Sequence, residues 1–249
     1  MIAGNESVVT YTRGNLILWF ILAFQGGLIN MGGLLACQSF VSHVTGYATR
    51  FGMAWTESSF LHALAILLVP GFFLTGSMIS GVLVDLRLKL GKKPKYYIVF
   101  GVLFVLLLLV VIGGFNHLFG VFGEPLQEIR DYTLLALLCL VCGIQNGTVT
   151  LVSRSVVRTT HLTGLTTDLG IGLVRVLNRR RLRGKIQDEG RANLMRIGII
   201  LFFVFGSVAG VKIFRTWEFR GFIFPCGISG ILFFATVYYQ VIRLRLRVR

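Results

Sequence analysis

Between Tyr96 and Gly123 the sequence contains no aspartate, glutamate, lysine or arginine, and most of its residues are leucine, valine, isoleucine or phenylalanine. About 20 apolar residues in an α-helix are enough to cross the hydrocarbon core of a bilayer. A helix that is apolar on every side is buried in a large protein or lies in a membrane. We therefore predict that this stretch is a membrane-spanning helix.

The composition of the whole chain supports the same class. Hydrophobic residues make up 55% of the 249 residues and charged residues only 14%, and the mean hydropathy is +0.78. Soluble domains have about 45–50% apolar and about 25% charged residues. These values indicate an integral membrane protein, with residues 1–249 as one transmembrane domain. They exclude a disordered tail, a secreted disulfide scaffold and a classical soluble enzyme.

Six apolar segments are long enough to span a membrane, so we predict an all-α integral membrane protein with about six transmembrane helices. Pro70 and Pro225 lie inside two of these segments, where proline kinks a transmembrane helix without ending it. The predicted segments are about 15–36, 62–84, 96–120, 132–153, 194–214 and 221–242.

The net charge of +15, from 25 basic and 10 acidic residues, would elsewhere suggest nucleic-acid binding. Here the basic residues concentrate at the ends of apolar segments, in residues 87–95, 154–196 and 243–249. Cytoplasmic loops carry such basic clusters and contact the anionic inner leaflet. We therefore expect membrane lipids as partners, no nucleic acid, and both termini in the cytoplasm.

The stretch after the first span does not fit a simple hairpin. From Gly14 to Thr49 the only acidic or basic side chain is His43, so the stretch is too long for one span and too polar at its end for two. Residues 38–46 are therefore predicted to form a broken or re-entrant segment. Irregular backbone at that depth requires a covering of protein or a water-filled cavity.

The motif at His43 recurs later in the chain. His43-Val-Thr-Gly is repeated as His161-Leu-Thr-Gly, 118 residues further on, with five of fifteen surrounding positions identical; Gly76-Ser is echoed by Gly206-Ser. We predict an internal duplication, with repeats of about 15–123 and 131–243. Three spans in each half force the second copy to run opposite to the first, which is typical of many secondary transporters. The alternative is that the motif only caps a helix start.

Polar side chains inside the predicted spans are costly in lipid and usually face a bundle interior or a pathway. The first span of each half carries such residues, whereas no carboxylate lies in the middle of any span. The two histidines are therefore the groups available for proton coupling near neutral pH. The alternative for the amides is that they join helices by hydrogen bonds. The candidate solute pathway consists of Gln25, Asn30, His43, Thr45, Gly46, Gln145, Asn146, His161, Thr163, Gly164 and Asp168.

Three arginines near the second motif, Arg154, Arg158 and Arg175, could hold an anionic solute or, as the simpler reading, lipid phosphates. The sequence contains no nucleophile elbow, phosphate loop or clustered metal ligands. We therefore expect no enzyme activity, no cofactor and no metal. The Cys139–Cys142 pair has the spacing of a redox motif, but in an apolar helix we expect it to serve packing.

The second-half motifs resemble a known family. Gly143-Ile-Gln-Asn-Gly147 and Arg158-Thr-Thr-His-Leu-Thr-Gly-Leu-Thr-Thr-Asp-Leu-Gly170 are similar to the signature of the YoaK family of small bacterial membrane proteins, whose function is unassigned. Two departures are Tyr47, where the family usually has asparagine, and Ile29-Asn30, where an acidic residue is usual. The resemblance covers nearly the whole chain and implies a multi-pass protein of the bacterial inner membrane, with no established substrate.

Two functional hypotheses follow. The first is a small secondary transporter or permease-like protein for an unknown small solute, with the pathway given above. The second is a non-transporting membrane component that binds lipid or a protein partner through its basic cytoplasmic face. A homo-oligomer is also compatible with the sequence, because the small residues Gly206 and Gly210 suit close helix packing within or between subunits.

Overall fold

The computed structural model describes residues 13–57, 60–125, 129–152, 162–182 and 189–243. Within these ranges every regular element is a helix, which confirms the predicted all-α class. The α-helices are α1 (Arg13–Cys37), α2 (Val44–Glu57), α3 (Phe60–Ser80), α4 (Arg87–Lys89), α5 (Tyr96–Phe115), α6 (Ile129–Val152), α7 (Leu162–Leu177), α8 (Glu189–Trp217) and α9 (Ile223–Val237). The π-helical turns Gly81–Leu86 and Tyr238–Ile242 extend α3 and α9, and the 3₁₀ turn Glu218–Phe222 joins α8 to α9.

Five helical stretches in the described ranges are long and apolar enough to cross a membrane. Their surfaces expose large apolar side chains, such as Met78 and Phe234, which are 61% and 64% exposed. A soluble protein rarely shows a large surface of this kind, so the apolar helices are those of a membrane protein. The five stretches are Gly14–Cys37, Ala63–Lys89, Tyr96–Phe115, Tyr132–Leu151 and Glu189–Ile242.

The last stretch, Glu189–Ile242, is 54 residues long and contains both of the segments predicted at 194–214 and 221–242. The chain turns within it at Glu218, which has a φ of 47°. Two predicted boundaries differ from the structure by five residues. Helix α8 begins at Glu189 rather than near residue 194, and α5 ends at Phe115 rather than near residue 120. His117 and Gly120 have φ values of 56° and 75°, and a right-handed helix cannot continue through them.

Helices α1 and α8 pack closely and run in the same direction. Phe20 of α1 lies against Gly198, Phe24 against Gly206, and Met31 against Gly210. The small residues of α8 leave space for the backbone of α1 to approach, because a side chain there would overlap it. Gly206 and Gly210 therefore serve packing within the chain.

Helices α3 and α6 form a second parallel pair. Phe73 lies against Gly143, and Ser77 and Ser80 lie against Gly147 one turn further along both helices. The Ser80 hydroxyl also donates a hydrogen bond of 2.7 Å to the carbonyl oxygen of Ile144. A close glycine contact reinforced by a buried hydroxyl is typical of helix packing in membranes.

Helices α5 and α9 run in opposite directions. Near the start of α5 the Tyr97 amide donates to Gln240 at 3.4 Å, whereas near its end Gly114 lies against Phe219. Between these points Gly101 faces the ring of Phe233, and the ring of Phe104 stacks on the same phenylalanine with centroids 6.3 Å apart. The pair closes the bundle beside α1 and α6.

The segment between α1 and α2 turns back along α1. Ser42 donates a hydrogen bond of 3.0 Å to Asn30, which lies seven residues, or about 10 Å, before the end of α1 at Cys37. Helix α2 then runs back toward that end, where Arg50 donates to Ser39 at 2.8 Å. The N-terminus of α2 therefore lies beside the interior of α1 and not at its tip.

Candidate functional site

The candidate site is a cavity of about 890 Å³ between the two halves of the chain. Helices α1, α3, α6 and α8 and the N-terminal turns of α2 and α7 all contribute to its lining. Most of its polar residues are among those selected from the sequence. The predicted residues that it brings together are Asn30, His43, Thr45, Asn146 and Thr163.

Eight of the fifteen lining residues form four pairs, with one member of each pair from each half of the chain and sequence offsets of 116, 118 or 130 residues. They are Asn30 and Asn146, Val44 and Leu162, Thr45 and Thr163, and Phe73 and Phe203. His161 of the second motif lies outside the described residues.

Asn30 is held by its neighbour on the returning segment. Its side-chain carbonyl oxygen, Oδ1, accepts the hydrogen bond from Ser42, and Ser42 itself lines the cavity. The amide NH₂ group, which can only donate, is the part of Asn30 that remains for a ligand. The Asn30 side chain is therefore oriented by the segment between α1 and α2 as well as by its own helix.

Asn146 of α6 also lines the cavity. Its Oδ1 atom is buried and has no hydrogen-bond donor among the described residues. The acceptor of Asn146 is therefore unpaired, whereas that of Asn30 is bonded to Ser42.

His43 precedes the first turn of α2 and its carbonyl oxygen accepts the backbone N–H of Gly46 at 3.0 Å. The imidazole ring folds over the same turn. A Cβ on Gly46 would lie 2.6 Å from Nδ1 of the ring, so only glycine leaves room for it. This packing explains why a glycine stands three residues after the histidine in the motif. It is compatible with His43 both as a cap of α2 and as part of the cavity wall.

The first turns of α2 and α7 have the same local structure. Thr49 Oγ1 donates to the carbonyl oxygen of Thr45 at 3.2 Å, and Thr167 Oγ1 donates to that of Thr163 at 3.0 Å. Neither helix has an acidic residue in its first turn. The first N–H groups of a helix have no partner within it, so the first turn of α2, which lines the cavity at Val44 and Thr45, presents backbone donors there. The residues before Leu162 of α7 lie outside the described ranges.

Gln25 and Gln145 lie away from the cavity, in the packed interior. Gln25 Nε2 donates to Ser229 of α9 at 2.7 Å, and Gln145 Nε2 donates to the carbonyl oxygen of Leu22 at 2.7 Å. Both side chains are fully buried. The structure thus places the two glutamines where they join α1 to α9 and α6 to α1.

The remaining predicted residues lie elsewhere. Asp168 is exposed on α7, and Gly164 lies in the first turn of the same helix. Arg175 is paired with Glu189 at 3.2 Å, so its guanidinium already has a carboxylate partner. Arg154 and Arg158 lie outside the described residues.

The cavity also contains residues that the sequence analysis did not select. Phe73, Phe203, Ser77 and Ser42 line it. Phe73 and Ser77 stand 130 residues before Phe203 and Ser207, the same shift that relates Gly76 to Gly206. Extending that second repeat by one helical turn in each direction would have found the phenylalanine pair. No group of three or more potential metal ligands occurs in the described ranges.

Comparison with known proteins identifies a family but no characterised relative. Residues 18–235 match the family described as "Protein of unknown function (DUF1275)". YoaK is a member of that family, which confirms the resemblance seen in the motifs. No curated protein and no solved structure matches the chain.

Proposed function

The chain belongs to the DUF1275 family, and we propose that it is a secondary transporter, not an enzyme, which moves a small solute through the cavity. The observation that carries the proposal is the pairing of cavity residues from the two halves. Sites built at the interface of two inverted repeats are typical of secondary transporters. The cavity volume of about 890 Å³ also lies within the range of small-molecule sites.

Support for inverted repeats comes from the two parallel helix pairs. A Cβ on Gly27 of α1 would overlap the carbonyl oxygen of Phe203, and one on Gly143 of α6 would overlap that of Phe73. These are the same contact at corresponding positions. Ser207 and Ser77 donate to those two carbonyl oxygens, each at 3.1 Å.

Helices α5 and α9 supply a third correspondence, which the sequence analysis did not include. Gly101-Val-Leu-Phe104 and Gly230-Ile-Leu-Phe233 share their first, third and fourth residues. A Cβ on Gly101 would lie 3.0 Å from the ring of Phe233, and one on Gly230 would lie 3.1 Å from the ring of Phe104. Reciprocal contacts of this kind arise when two elements are related by a two-fold axis.

We count six crossings, with the stretch Glu189–Ile242 as two of them. A single helix of 54 residues would measure about 81 Å, whereas the hydrocarbon core is about 30 Å thick. Helix α8 packs on α1 and α9 packs on α5, with the turn at Glu218 between them. We propose that the protein lies in the bacterial inner membrane with both termini in the cytoplasm, a topology that an even number of crossings and the basic loops support.

The two short helices α2 and α7 contact the spans that follow them, α3 and α8, through different kinds of side chain. Helix α7 is held to α8 by an ion-pair cluster in which Glu189 accepts from Arg196 at 2.9 Å and from Arg175 at 3.2 Å, packed against Gly172. Where α2 meets α3, the buried residues include Ala54 and Ala63. A transporter opens its two sides in turn. An ion-pair cluster at α7 and an apolar contact at α2 would allow one of these helices to move while the other stays in place.

Side-specific cysteine labelling tests this topology. Single cysteines at Thr49 and Thr167, both exposed and at corresponding positions, are placed in a chain whose four native cysteines are replaced. We expect labelling from opposite faces of the membrane, with Lys92→Cys as the cytoplasmic control. If both threonine positions react from the same face, the inverted arrangement is wrong.

A second pair of probes tests transport itself. Thr45→Cys and Thr163→Cys line the cavity from the two halves. A transporter exposes each of them to both faces in turn, so a membrane-impermeant reagent should label each position in right-side-out and in inside-out vesicles. Reaction from one face only would remove the transport function and leave a binding protein.

The alternative function, binding of lipid or a protein partner through the cytoplasmic face, has its own support. Arg179, Arg180 and Arg181 follow α7 in an exposed turn. Adjacent exposed arginines attract anionic lipids by about 1 kcal/mol each. Replacing all three with glutamate should abolish a lipid or partner interaction while leaving cavity labelling unchanged.

A further inference from the structure

We propose that a phospholipid binds at the end of the bundle where α1 ends and α6 begins, with its phosphate on Arg50 and one acyl chain in a groove between α3 and α6. This site is separate from the candidate solute cavity and from the arginines that follow α7. The inference does not rest on the proposed transport, because it requires only that the chain lies in a membrane. It is drawn from a polar pocket, an apolar groove and the tyrosine that lines both.

The polar part of the site is a pocket of about 220 Å³ beside the segment that joins α1 to α2. Arg50 of α2 lines it and donates a hydrogen bond of 2.8 Å from Nη1 to Ser39. Within the described ranges no ion pair joins this guanidinium to a carboxylate. Glu124, which precedes the lining residue Pro125, is exposed and does not line the pocket. Arg50 therefore retains N–H donors and a positive charge for a phosphate.

A buried tyrosine is the second observation that indicates a ligand here. Tyr47 lines the same pocket and is only 6% exposed. Ser39 and Arg50 lie close to its phenol oxygen, but Oη forms no hydrogen bond with any described residue. Buried polar groups are normally hydrogen-bonded, and one without a partner indicates a ligand or an ordered water. A phosphate oxygen on Arg50 would accept the hydrogen bond that this hydroxyl can donate.

The apolar part is a groove of about 320 Å³ along the membrane-facing side of α3 and α6. Tyr132 lines both the groove and the polar pocket. This residue also begins a membrane-spanning stretch, so the two cavities meet at the edge of the hydrocarbon region, at the level of the lipid headgroups. A basic pocket between membrane helices is a typical headgroup site. The groove is lined by Phe72, Tyr132, Thr133, Ala136, Leu137 and Leu140.

The corresponding positions of the second half have the opposite chemistry. At the offset of 118 residues that relates the two motifs, Asp168 corresponds to Arg50 and Leu165 to Tyr47. A carboxylate repels a phosphate, and a leucine has no hydrogen bond to donate. The lipid would therefore hold α2 to α3 and α6 on one side of the repeat only.

Three ligands that share parts of a phospholipid test the inference. They are dioleoyl phosphatidylethanolamine, dioleoylglycerol, which lacks the phosphate, and glycerol 3-phosphate, which lacks the chains. The phosphatidylethanolamine headgroup has no net charge, so exposed basic turns attract it little. Binding to the delipidated full-length protein in neutral detergent is measured by native mass spectrometry and by the shift in the thermal unfolding midpoint. We expect the phospholipid to bind at least about tenfold more tightly than dioleoylglycerol, as for one hydrogen bond to a charged group, and glycerol 3-phosphate not to bind.

Matched variants assign the binding to this site. Arg50→Gln should weaken phospholipid binding by at least about tenfold, whereas Arg220→Gln, at an exposed arginine between α8 and α9, should leave it unaltered. Ala136→Phe fills the groove and should also weaken binding, with Ala209→Phe on α8 as its control. Because Arg50 and Ala136 lie on different helices, one variant still tests the site if the other does not fold.

Each outcome either supports or overturns the inference. Loss of phospholipid binding in Arg50→Gln and Ala136→Phe, but not in their controls, supports it whatever the labelling at Thr45 and Thr163 shows. Equal binding of the phospholipid and dioleoylglycerol would show that the phosphate is not recognised and would overturn it. Unaltered binding in a folded Arg50→Gln or Ala136→Phe variant would place the lipid elsewhere. Binding of glycerol 3-phosphate as tight as that of the phospholipid would overturn the assignment to a lipid.

Discussion

Alanine at the glycines of the parallel helix pairs gives a sharp test of the packing. A Cβ on Gly143 would overlap the carbonyl oxygen of Phe73 and lie 3.0 Å from its Cα atom. Both are backbone atoms, so no side-chain rotation can relieve the overlap. Gly143→Ala therefore has to push α3 and α6 apart along their shared face, and Gly27→Ala should do the same to α1 and α8.

The size of the effect can be bounded by two opposing terms. Forcing an extra methyl group into a packed interface costs about 1–3 kcal/mol. Glycine to alanine in a helix otherwise stabilises by about 0.5–1 kcal/mol. Gly227 is exposed in α9, and no heavy atom lies within 4 Å of a Cβ placed there. Gly227→Ala therefore measures the gain from alanine in a helix without the packing cost. The free energies of unfolding of Gly143→Ala and Gly227→Ala should differ by about 1–3 kcal/mol.

The assay is reversible unfolding in mixed micelles, followed by tryptophan fluorescence as the fraction of denaturing detergent rises. We expect Gly143→Ala and Gly27→Ala to lower the free energy of unfolding by similar amounts, because their surroundings correspond. Equal stability of Gly143→Ala and Gly227→Ala would show that the helices are not in this close contact. A large loss at only one of Gly143 and Gly27 would refute the equivalence of the two pairs.

Three further predictions concern single side chains. Gln25→Leu should lower the free energy of unfolding by less than about 1 kcal/mol. The variant loses the hydrogen bond to Ser229, but it also removes a buried Oε1 atom that has no donor among the described residues. A loss above about 2 kcal/mol in the same assay would contradict this prediction. Glu189→Gln should lower the free energy of unfolding by about 1.5–3 kcal/mol, the range for hydrogen bonds to charged groups, since it leaves the partly buried Arg196 without its carboxylate. Thermal unfolding measures the loss, and an unchanged midpoint would refute a stabilising role of the cluster. Gly46→Ala should lower the thermal unfolding midpoint, because the new Cβ meets the imidazole of His43. In a His43→Ala background the same substitution should leave the midpoint unchanged or raise it.

The long apolar runs made the helices themselves predictable. The stretch from Tyr96 is a helix because nothing in it could remain in water, and the segment after α1 is broken because its polar residues cannot complete a second span. Helix ends were less predictable. The end of α5 depends on the turn at His117. The polar pair Asn116-His117 marks this turn, but the apolar residues that continue to Phe122 extend the uncharged stretch beyond it.

The partners of the helices could not be predicted, for a physical reason. Soluble helices reveal their packed face by an apolar stripe, whereas a membrane helix is apolar toward both protein and lipid. Glycines indicate close contact, but the sequence does not say whether Gly143 meets α1, α3 or another subunit. The cavity residues Asn30 and Asn146 could be selected because polarity is rare in a span, whereas the apolar Phe73 and Phe203 are marked only by their positions in the second repeat.

The parallel contact between α1 and α8 has a consequence for how the protein is made. Helix α1 is complete at Cys37, but its partner face at Phe203 emerges from the ribosome only after more than 160 further residues. At a synthesis rate of about 5–20 residues per second, α1 remains without that partner for on the order of ten to thirty seconds. During this time its glycine face and the amide of Gln25 meet only lipid or the insertion machinery. Neither half can therefore complete its own packing, and biogenesis of this protein should depend on a factor that shelters α1 until translation is nearly finished.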